Sequence, residues 1–132
     1  MLGIKIYQPI NKMLRTQIKI LNKNKIVAME GGRRVGYLKF VYPGDSSGKR
    51  NLVIDYVYVK PQYRRKGIAN KLIKFILKHF KNVVWISLWT SEEAEKDGSY
   101  GLYKKLGFKE LAYQADYYKR GVGTHLFVKK LS

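Results

Sequence analysis

The sequence predicts a mixed α/β fold built on a mostly antiparallel sheet with one parallel strand pair. Three observations predict it. The first part of the chain contains short segments of apolar and polar residues that are typical of strands, at 3–7, 16–21, 26–29 and 34–42. A strand–helix–strand order follows, and such a crossover joins parallel strands. Two more strand-like segments, 108–117 and 123–130, come last.

Local patterns justify the elements in order. Residues 22–24 predict a turn, and Gly31-Gly32 predicts a hairpin between the third and fourth segments. Residues 43–48 have the composition of a loop. The stretch Leu52–Val59, rich in Val, Ile and Tyr, predicts a strand that ends at Pro61.

Two helices are predicted in the second half. Residues 65–80 carry apolar side chains at helical spacing, with Lys71, Lys74 and Lys78 on the opposite face. The apolar run at 83–89 favours a strand that is buried on both sides. A second helix is expected to begin at Ser91 and to end before Gly107.

Composition narrows the protein class. The chain has 132 residues, 45% of them apolar, which predicts one folded domain over residues 1–132 and excludes a disordered chain. No apolar run reaches the ~20 residues of a membrane span, and no secretory leader is recognised, so we expect a cytoplasmic protein. The chain has no cysteine and two isolated histidines, so no metal site is expected.

The charge is strongly positive and uneven. Lys and Arg number 27 against 9 Asp and Glu, a net charge of +18. Residues 1–91 hold 19 of the basic side chains and three acidic ones. Such a field attracts anions, which favours nucleic acid or acidic proteins as partners. The alternative is a compositional bias towards Lys, Ile, Tyr and Asn.

The most informative segment joins the strand ending at Val59 to the following helix. The first amides of a helix have no internal partner and lie at the positive end of its dipole, so they bind anions. Gly67 and Ala69 leave room for a phosphate, and neighbouring basic side chains add charge. By residue chemistry alone this is either a phosphate site or a basic turn.

Two motifs resemble a known family. Arg64-x-x-Gly67-x-Ala69 resembles the Gln/Arg-x-x-Gly-x-Gly/Ala signature of the GCN5-related N-acetyltransferase (GNAT) superfamily. Leu102-Tyr103-Lys104-Lys105-Leu106-Gly107-Phe108 is similar to its second motif. The resemblance spans roughly residues 34–130 and implies a GNAT-like fold, with a splayed parallel strand pair and helices on both faces of the sheet.

The resemblance also implies a co-substrate, acetyl-CoA, and no metal. Its pyrophosphate would lie on six consecutive residues: Arg64, Arg65, Lys66, Gly67, Ile68 and Ala69. Its pantetheine arm would lie along the backbone of Val57, Tyr58 and Val59.

Two catalytic candidates follow. Tyr103 resembles the tyrosine that protonates the departing thiolate, although a core tyrosine is the other interpretation. Asp55 is the candidate base, because strand parity places it on the side of Val57 and Val59. A salt-bridge role for Asp55, or Glu30 as the base, remains an alternative.

The match is incomplete at two points. Residues 9–15 are too few for the two helices that the family usually places there, so the N-terminal helical region is shortened. The acceptor site is then open, or a partner subunit completes it in a homodimer. Lys96 stands where the family often has Asn.

The sequence therefore predicts an acetyl-CoA-dependent N-acetyltransferase that uses direct attack by a primary amine in a ternary complex. The acceptor options are an amine on an acidic protein, a nucleotide-linked amine or aminoacyl-tRNA. The rival hypothesis is a basic nucleic-acid-binding module on the same scaffold with little or no catalysis. Tyr103 favours the enzyme, since a pure binding protein does not need it.

Overall fold

The computed structural model describes residues 16–42, 51–80, 83–91 and 98–131. Its strands are β1 (Gln17–Asn22), β2 (Lys25–Glu30), β3 (Arg33–Val41), β4 (Asn51–Val59), β5 (Trp85–Ser91), β6 (Lys109–Lys119) and β7 (Val122–Lys130). A 3-10 turn covers Pro61–Tyr63, and the two described α-helices are α1 (Ile68–His79) and α2 (Ser99–Lys105).

The described strands form one seven-stranded sheet in the order β1-β2-β3-β4-β5-β7-β6. The β1–β2, β2–β3, β5–β7 and β6–β7 pairs are antiparallel, and β4–β5 is parallel. The parallel register runs from Asn51↔Trp85 to Ile54↔Leu88. The predicted mixed sheet with one parallel pair is confirmed.

The chain divides into two compact units. The first contains Met1–Lys39 and Tyr56–Lys78, and the second contains Phe40–Asp55 and His79–Ser132. The boundaries fall inside β3 and β4, so each of these strands contributes residues to both units.

The core of the first unit combines strand and helix residues. Hairpin residues Ile26, Val35 and Leu38 are fully buried, which confirms the predicted hairpin. In α1 the buried residues recur at helical spacing: Ile68, Leu72, Ile73 and Ile76. The three lysines predicted for the opposite face are exposed, as an amphipathic helix requires.

The core of the second unit lies around β5 and β7. Ile86, Leu88 and Phe127 are buried in these two strands. Phe40 packs against Phe80 with ring centres 5.2 Å apart. The turn at Gly121 has a φ of 84°, which favours glycine and allows β6 to return as β7.

Three predicted elements differ from the structure. Helix α1 begins at Ile68 and not at residue 65, because Arg65 and Gly67 have positive φ. Strand β5 is not buried on both sides, since Trp85 and Trp89 are 42% and 44% exposed. Ser91 ends β5 instead of beginning a helix, and α2 begins at Ser99.

Several predictions lie outside the described residues. They are the strand at 3–7, the shortened region at 9–15, the loop at 43–48 and the substitution at Lys96. Gly107 is among the described residues, and it ends α2 with a φ of 94°, as predicted.

Candidate functional site

The segment between β4 and α1, residues 60–67, is defined here as the phosphate loop. It begins with a tight turn in which the Tyr63 amide donates to the Lys60 carbonyl oxygen at 2.8 Å. The Arg64 amide donates to the Pro61 carbonyl oxygen at 3.2 Å. Proline suits the first position of this turn because its φ is fixed and it has no amide hydrogen.

Two residues in the left-handed conformation direct the backbone of the phosphate loop towards the start of α1. Arg65 has a φ of 64° and Gly67 a φ of 80°. The Gly67 carbonyl oxygen accepts from the Lys71 amide at 3.0 Å, which places Gly67 at the start of α1. The next amides, of Ile68 and Ala69, therefore have no partner within the helix and lie at the positive end of its dipole.

The side chain of Arg64 ties the phosphate loop to the end of β4. Its Nε donates to the carbonyl oxygen of Val59 at 2.8 Å, and its guanidinium lies 5.8 Å from the ring centre of Tyr58. Lys66 Nζ lies 5.5 Å from the ring centre of Tyr63. The loop thus holds three exposed cationic side chains within four residues of the helix: Arg64, Arg65 and Lys66.

Strand β4 changes its burial pattern near the predicted base. Leu52 and Ile54 are buried, Asp55 and Tyr56 are both exposed, and Val59 is 8% exposed. The buried positions therefore change parity within β4, so the covered residues lie on one side of the strand at its start and on the other side at its end.

The two predicted catalytic residues belong to the second unit. Asp55 is exposed on β4. Tyr103 is 8% exposed on α2, with its ring 5.8 Å from Phe127 and 6.2 Å from Phe108, measured between ring centres. This packing also explains why the family-like segment contains an aromatic residue at this position, so both interpretations of Tyr103 are compatible with it.

Sequence reasoning assigned no role to His125, which joins a polar cluster in the second unit. His125 Nδ1 lies 3.0 Å from Glu110 Oε2, and the Tyr100 hydroxyl donates to Glu110 Oε1. The hydrogen bond from Tyr100, followed by that from His125, lowers the pKa of Glu110 below its ordinary value of 4.5. The antiparallel pairing of β6 with β7 brings Glu110 close to His125, and Tyr100 joins them from α2. Spacing along the chain does not reveal this cluster.

Two features of the described residues bear on other functions. In the ranges given above, no group of three or more His, Asp or Glu side chains is arranged to hold a metal ion. No helix within the same part of the chain is long and apolar enough to cross a membrane.

Comparison with known proteins identifies the family. A family model described as the acetyltransferase (GNAT) domain matches residues 22–110, which is more than half of the chain. The chain belongs to the GNAT acetyltransferase family. The predicted family, its fold and the enzyme class are thereby confirmed, and the match includes the phosphate loop and α2.

Three solved structures from different organisms illustrate the similarity in fold. Ard1 from Thermoplasma volcanium has a TM-score of 0.73 at 17% identity, covering 97% of this chain and 79% of Ard1. The Salmonella typhimurium protein yncA, solved with its cofactor acetyl-CoA, has a TM-score of 0.68 at 20% identity, covering 82% of this chain and 64% of yncA. Arabidopsis thaliana NAA60, solved with a bisubstrate analogue, has a TM-score of 0.66 at 19% identity, covering 80% of this chain and 74% of NAA60. At these identities the likeness is one of fold.

Proposed function

We propose that this GNAT protein transfers the acetyl group of acetyl-CoA to a primary amine, by direct attack while both substrates are bound. The single observation that carries the proposal is the phosphate loop, where left-handed residues lead into the first free amides of α1. The similarity to yncA, which was solved with acetyl-CoA, supports the choice of acyl donor.

The phosphate loop fits a diphosphate in geometry and in charge. The amides of Ile68 and Ala69 donate to phosphate oxygens, and the helix dipole adds positive potential. Arg65 and Lys66 supply further charge from exposed positions. Arg64 supports the loop through its bond to Val59, so in this proposal its Nε positions the loop and its remaining N–H groups face the ligand.

The pantetheine arm is proposed to bind along the end of β4. In the described residues the parallel register ends at Ile54↔Leu88, before Val57 is reached. The backbone of Val57, Tyr58 and Val59 then binds the arm in the manner of an added strand. An amide near Tyr58 or Val59 polarises the thioester carbonyl and stabilises the oxyanion that develops on it.

The transfer needs a base and an acid. The amine nitrogen forms a bond to the acetyl carbon, the bond from that carbon to sulfur breaks, and the amine loses a proton. Asp55, exposed on β4, accepts this proton directly or through water. Tyr103 donates a proton to the departing thiolate, since a phenol with a pKa of ~10 gives up its proton when a thiolate forms beside it.

The acceptor is proposed to be anionic or to be carried by an anionic molecule. Residues 1–91 hold 19 basic side chains and three acidic ones, so their field concentrates such partners. An amine on an acidic protein and an amine linked to a nucleotide both meet this requirement. We propose that residues 1–132 act as one acetyltransferase domain, which binds the acceptor alone or as a homodimer.

The experiment is a thiol-release assay with acetyl-CoA and a panel of amines. The chain has no cysteine, so Ellman's reagent reports only the thiol of released CoA. The panel contains peptides with acidic or basic sequences after a free N-terminus, and aminoacyl-tRNA. We expect amine-dependent thiol release for at least one anionic acceptor, and mass spectrometry should show an added acetyl group.

Binding of the donor separates the enzyme from the rival binding module. Acetyl-CoA well above a micromolar affinity should raise the melting temperature, because a ligand that binds only the folded state stabilises it. No stabilisation by acetyl-CoA, together with stabilisation by an oligonucleotide, would reject the enzyme proposal in favour of the binding module.

A further inference from the structure

A cavity of about 120 Å³ opens on the first unit, on the strands β2, β3 and β4. It is called the tyrosine pocket here, and it is lined by Lys25, Val27, Arg34, Gly36, Tyr37, Tyr58 and Lys60. Three of these side chains are cationic, two are tyrosines and none is acidic. A void of ~150 Å³ holds a benzene ring, so the pocket has the size of one small planar ring.

A β-bulge in β3 builds the tyrosine pocket. Ala28 pairs with Gly36 and Met29 pairs with Arg34, so Val35 is an extra residue in β3. In a regular strand Arg34 and Tyr37, three residues apart, would point to opposite faces. The bulge lets both line the same pocket, and bulges commonly redirect side chains at functional sites.

Two close backbone contacts fix the far side of the pocket. A Cβ on Gly36 would lie 2.6 Å from the Tyr58 carbonyl oxygen, so β3 and β4 approach here as only glycine permits. The Lys60 amide donates to the carbonyl oxygen of the extra residue Val35 at 2.9 Å. The bulge thus positions Lys60 as well as Arg34.

The tyrosines form a continuous aromatic surface. The ring centre of Tyr37 lies 5.5 Å from that of Tyr58 and 6.0 Å from that of Tyr56, which is 54% exposed. Lys25 Nζ lies over the Tyr37 ring, 4.3 Å from its centre. This flexible ammonium has to move off the ring before a base can stack on that face. Such a surface binds a planar, electron-poor ring by stacking.

The cations flank this aromatic surface on two sides. Arg34 lies three residues before Tyr37 on β3. The backbone amide of Lys60 bonds to the carbonyl oxygen of Val35, the residue after Arg34, so Lys60 lies near Arg34. On the other side, Lys25 pairs with Lys39, two residues beyond Tyr37. A ligand with one planar ring and an anionic group on each side matches this order of charge, ring and charge.

We propose that the tyrosine pocket binds single-stranded nucleic acid, with one base stacked on Tyr37 and Tyr58. The phosphate on one side of that base contacts Lys25, and the phosphate on the other side contacts Arg34 and Lys60. A free mononucleotide has a phosphate on only one side of its base, so it would contact either Lys25 or the pair Arg34 and Lys60, but not both. The site shares two residues with the proposed acetyl transfer: Lys60 is the first residue of the phosphate loop, and the backbone of Tyr58 binds the pantetheine arm. The test variants therefore change Tyr37 and Lys25, which the proposed acetyl transfer does not use.

The test compares a fluorescein-labelled single-stranded 10-mer with an abasic 10-mer of the same phosphate charge, by fluorescence anisotropy. The wild-type protein should bind the base-containing oligomer about tenfold more tightly, since stacking of one base contributes on this scale. Tyr37→Ala should abolish the preference and leave binding of the abasic oligomer unchanged. Tyr117→Ala, at a tyrosine 54% exposed in the second unit, is the matched control and should keep the preference.

A second measurement does not depend on how Tyr37→Ala folds. Lys25→Gln should reduce the slope of log affinity against log salt by about 0.7, the value for one phosphate contact on a single strand. Lys109→Gln, at an exposed lysine of β6 in the second unit, should change the slope by less than half of this. Equal slopes for the two variants would contradict the proposed phosphate contact.

Three other results would overturn the proposal. The first is equal binding of both oligomers by the wild-type protein, and the second is binding of a mononucleotide as tightly as the 10-mer. The third is a loss of acetyl-CoA affinity in Tyr37→Ala as large as its loss of oligomer affinity. The last result would assign the pocket to the acetyl-CoA site. Failure of acetyl-CoA to bind at all would reject the proposed acetyl transfer and leave the oligonucleotide result standing.

Discussion

Replacing Gly67 tests the phosphate loop through its backbone. Gly67 has a φ of 80°, and a Cβ built on it meets no atom within 4 Å, so the substitution causes strain without a clash. A left-handed conformation costs an ordinary residue ~1–2 kcal/mol, and a β-branched residue is among the least tolerant. Because Gly67 is exposed, the loop of Gly67→Val can relieve this strain by turning its amides away from the ligand.

Binding must then restore the strained conformation, and ~1–2 kcal/mol corresponds to roughly a 5- to 30-fold loss of affinity. We therefore expect Gly67→Val to raise the Kd for acetyl-CoA about tenfold, measured by isothermal titration calorimetry. Gly67→Asn should lose less, since asparagine tolerates the left-handed region.

Gly121→Val is the matched control for this experiment. Gly121 has a φ of 84° and the same open surroundings, but it lies in the turn between β6 and β7. It should lose a similar amount of stability in urea denaturation and keep its affinity. An unchanged Kd for Gly67→Val, or an equal loss of affinity for Gly121→Val, would show that the backbone conformation at Gly67 does not determine acetyl-CoA binding.

Four further variants test other parts of the molecule. Tyr103→Phe should lower kcat about 100-fold with an unchanged Kd for acetyl-CoA, and an unchanged kcat would remove its role as acid. Gly36→Ala should lower the free energy of unfolding by about 1–3 kcal/mol, because its Cβ would lie 2.6 Å from a backbone oxygen. Gly101→Ala, at an open helical site, should raise it by up to ~1 kcal/mol, and denaturation in urea measures both. The lowered pKa of Glu110 contributes stability above its ordinary pKa of 4.5 that is lost as the pH falls through the folded value. The stability advantage of wild type over Glu110→Gln should therefore be present at pH 7 and should shrink as the pH is lowered below 4.5, and a constant difference would contradict this.

Local patterns predicted most of the described fold. The apolar spacing of α1 and the glycine turn between β2 and β3 depend on neighbours in the chain, and both are confirmed. The start of α1 was predicted three residues early, because side-chain periodicity does not report that Arg65 adopts a positive φ. The apolar run of β5 predicts burial on both sides, but hydrophobicity alone does not show that Trp85 and Trp89 line a partly exposed face.

The candidate sites differ in how much the sequence could reveal. The phosphate loop is contiguous in the chain, so its glycine and basic residues could be identified directly. The tyrosine pocket depends on a bulge and on residues from three strands, and the register of those strands cannot be read from the sequence. Glu110 and His125 are fifteen residues apart in the sequence, and their contact likewise depends on the pairing of β6 with β7.

Amide hydrogen exchange tests the central claim most directly, namely that the start of α1 binds the diphosphate of acetyl-CoA. The ligands to compare are acetyl-CoA and S-acetylpantetheine, which has the thioester and the arm but no diphosphate. Saturating acetyl-CoA should slow exchange at the amides of Ile68 and Ala69, and S-acetylpantetheine should not. Equal exchange at these amides with and without acetyl-CoA would contradict diphosphate binding at the start of α1.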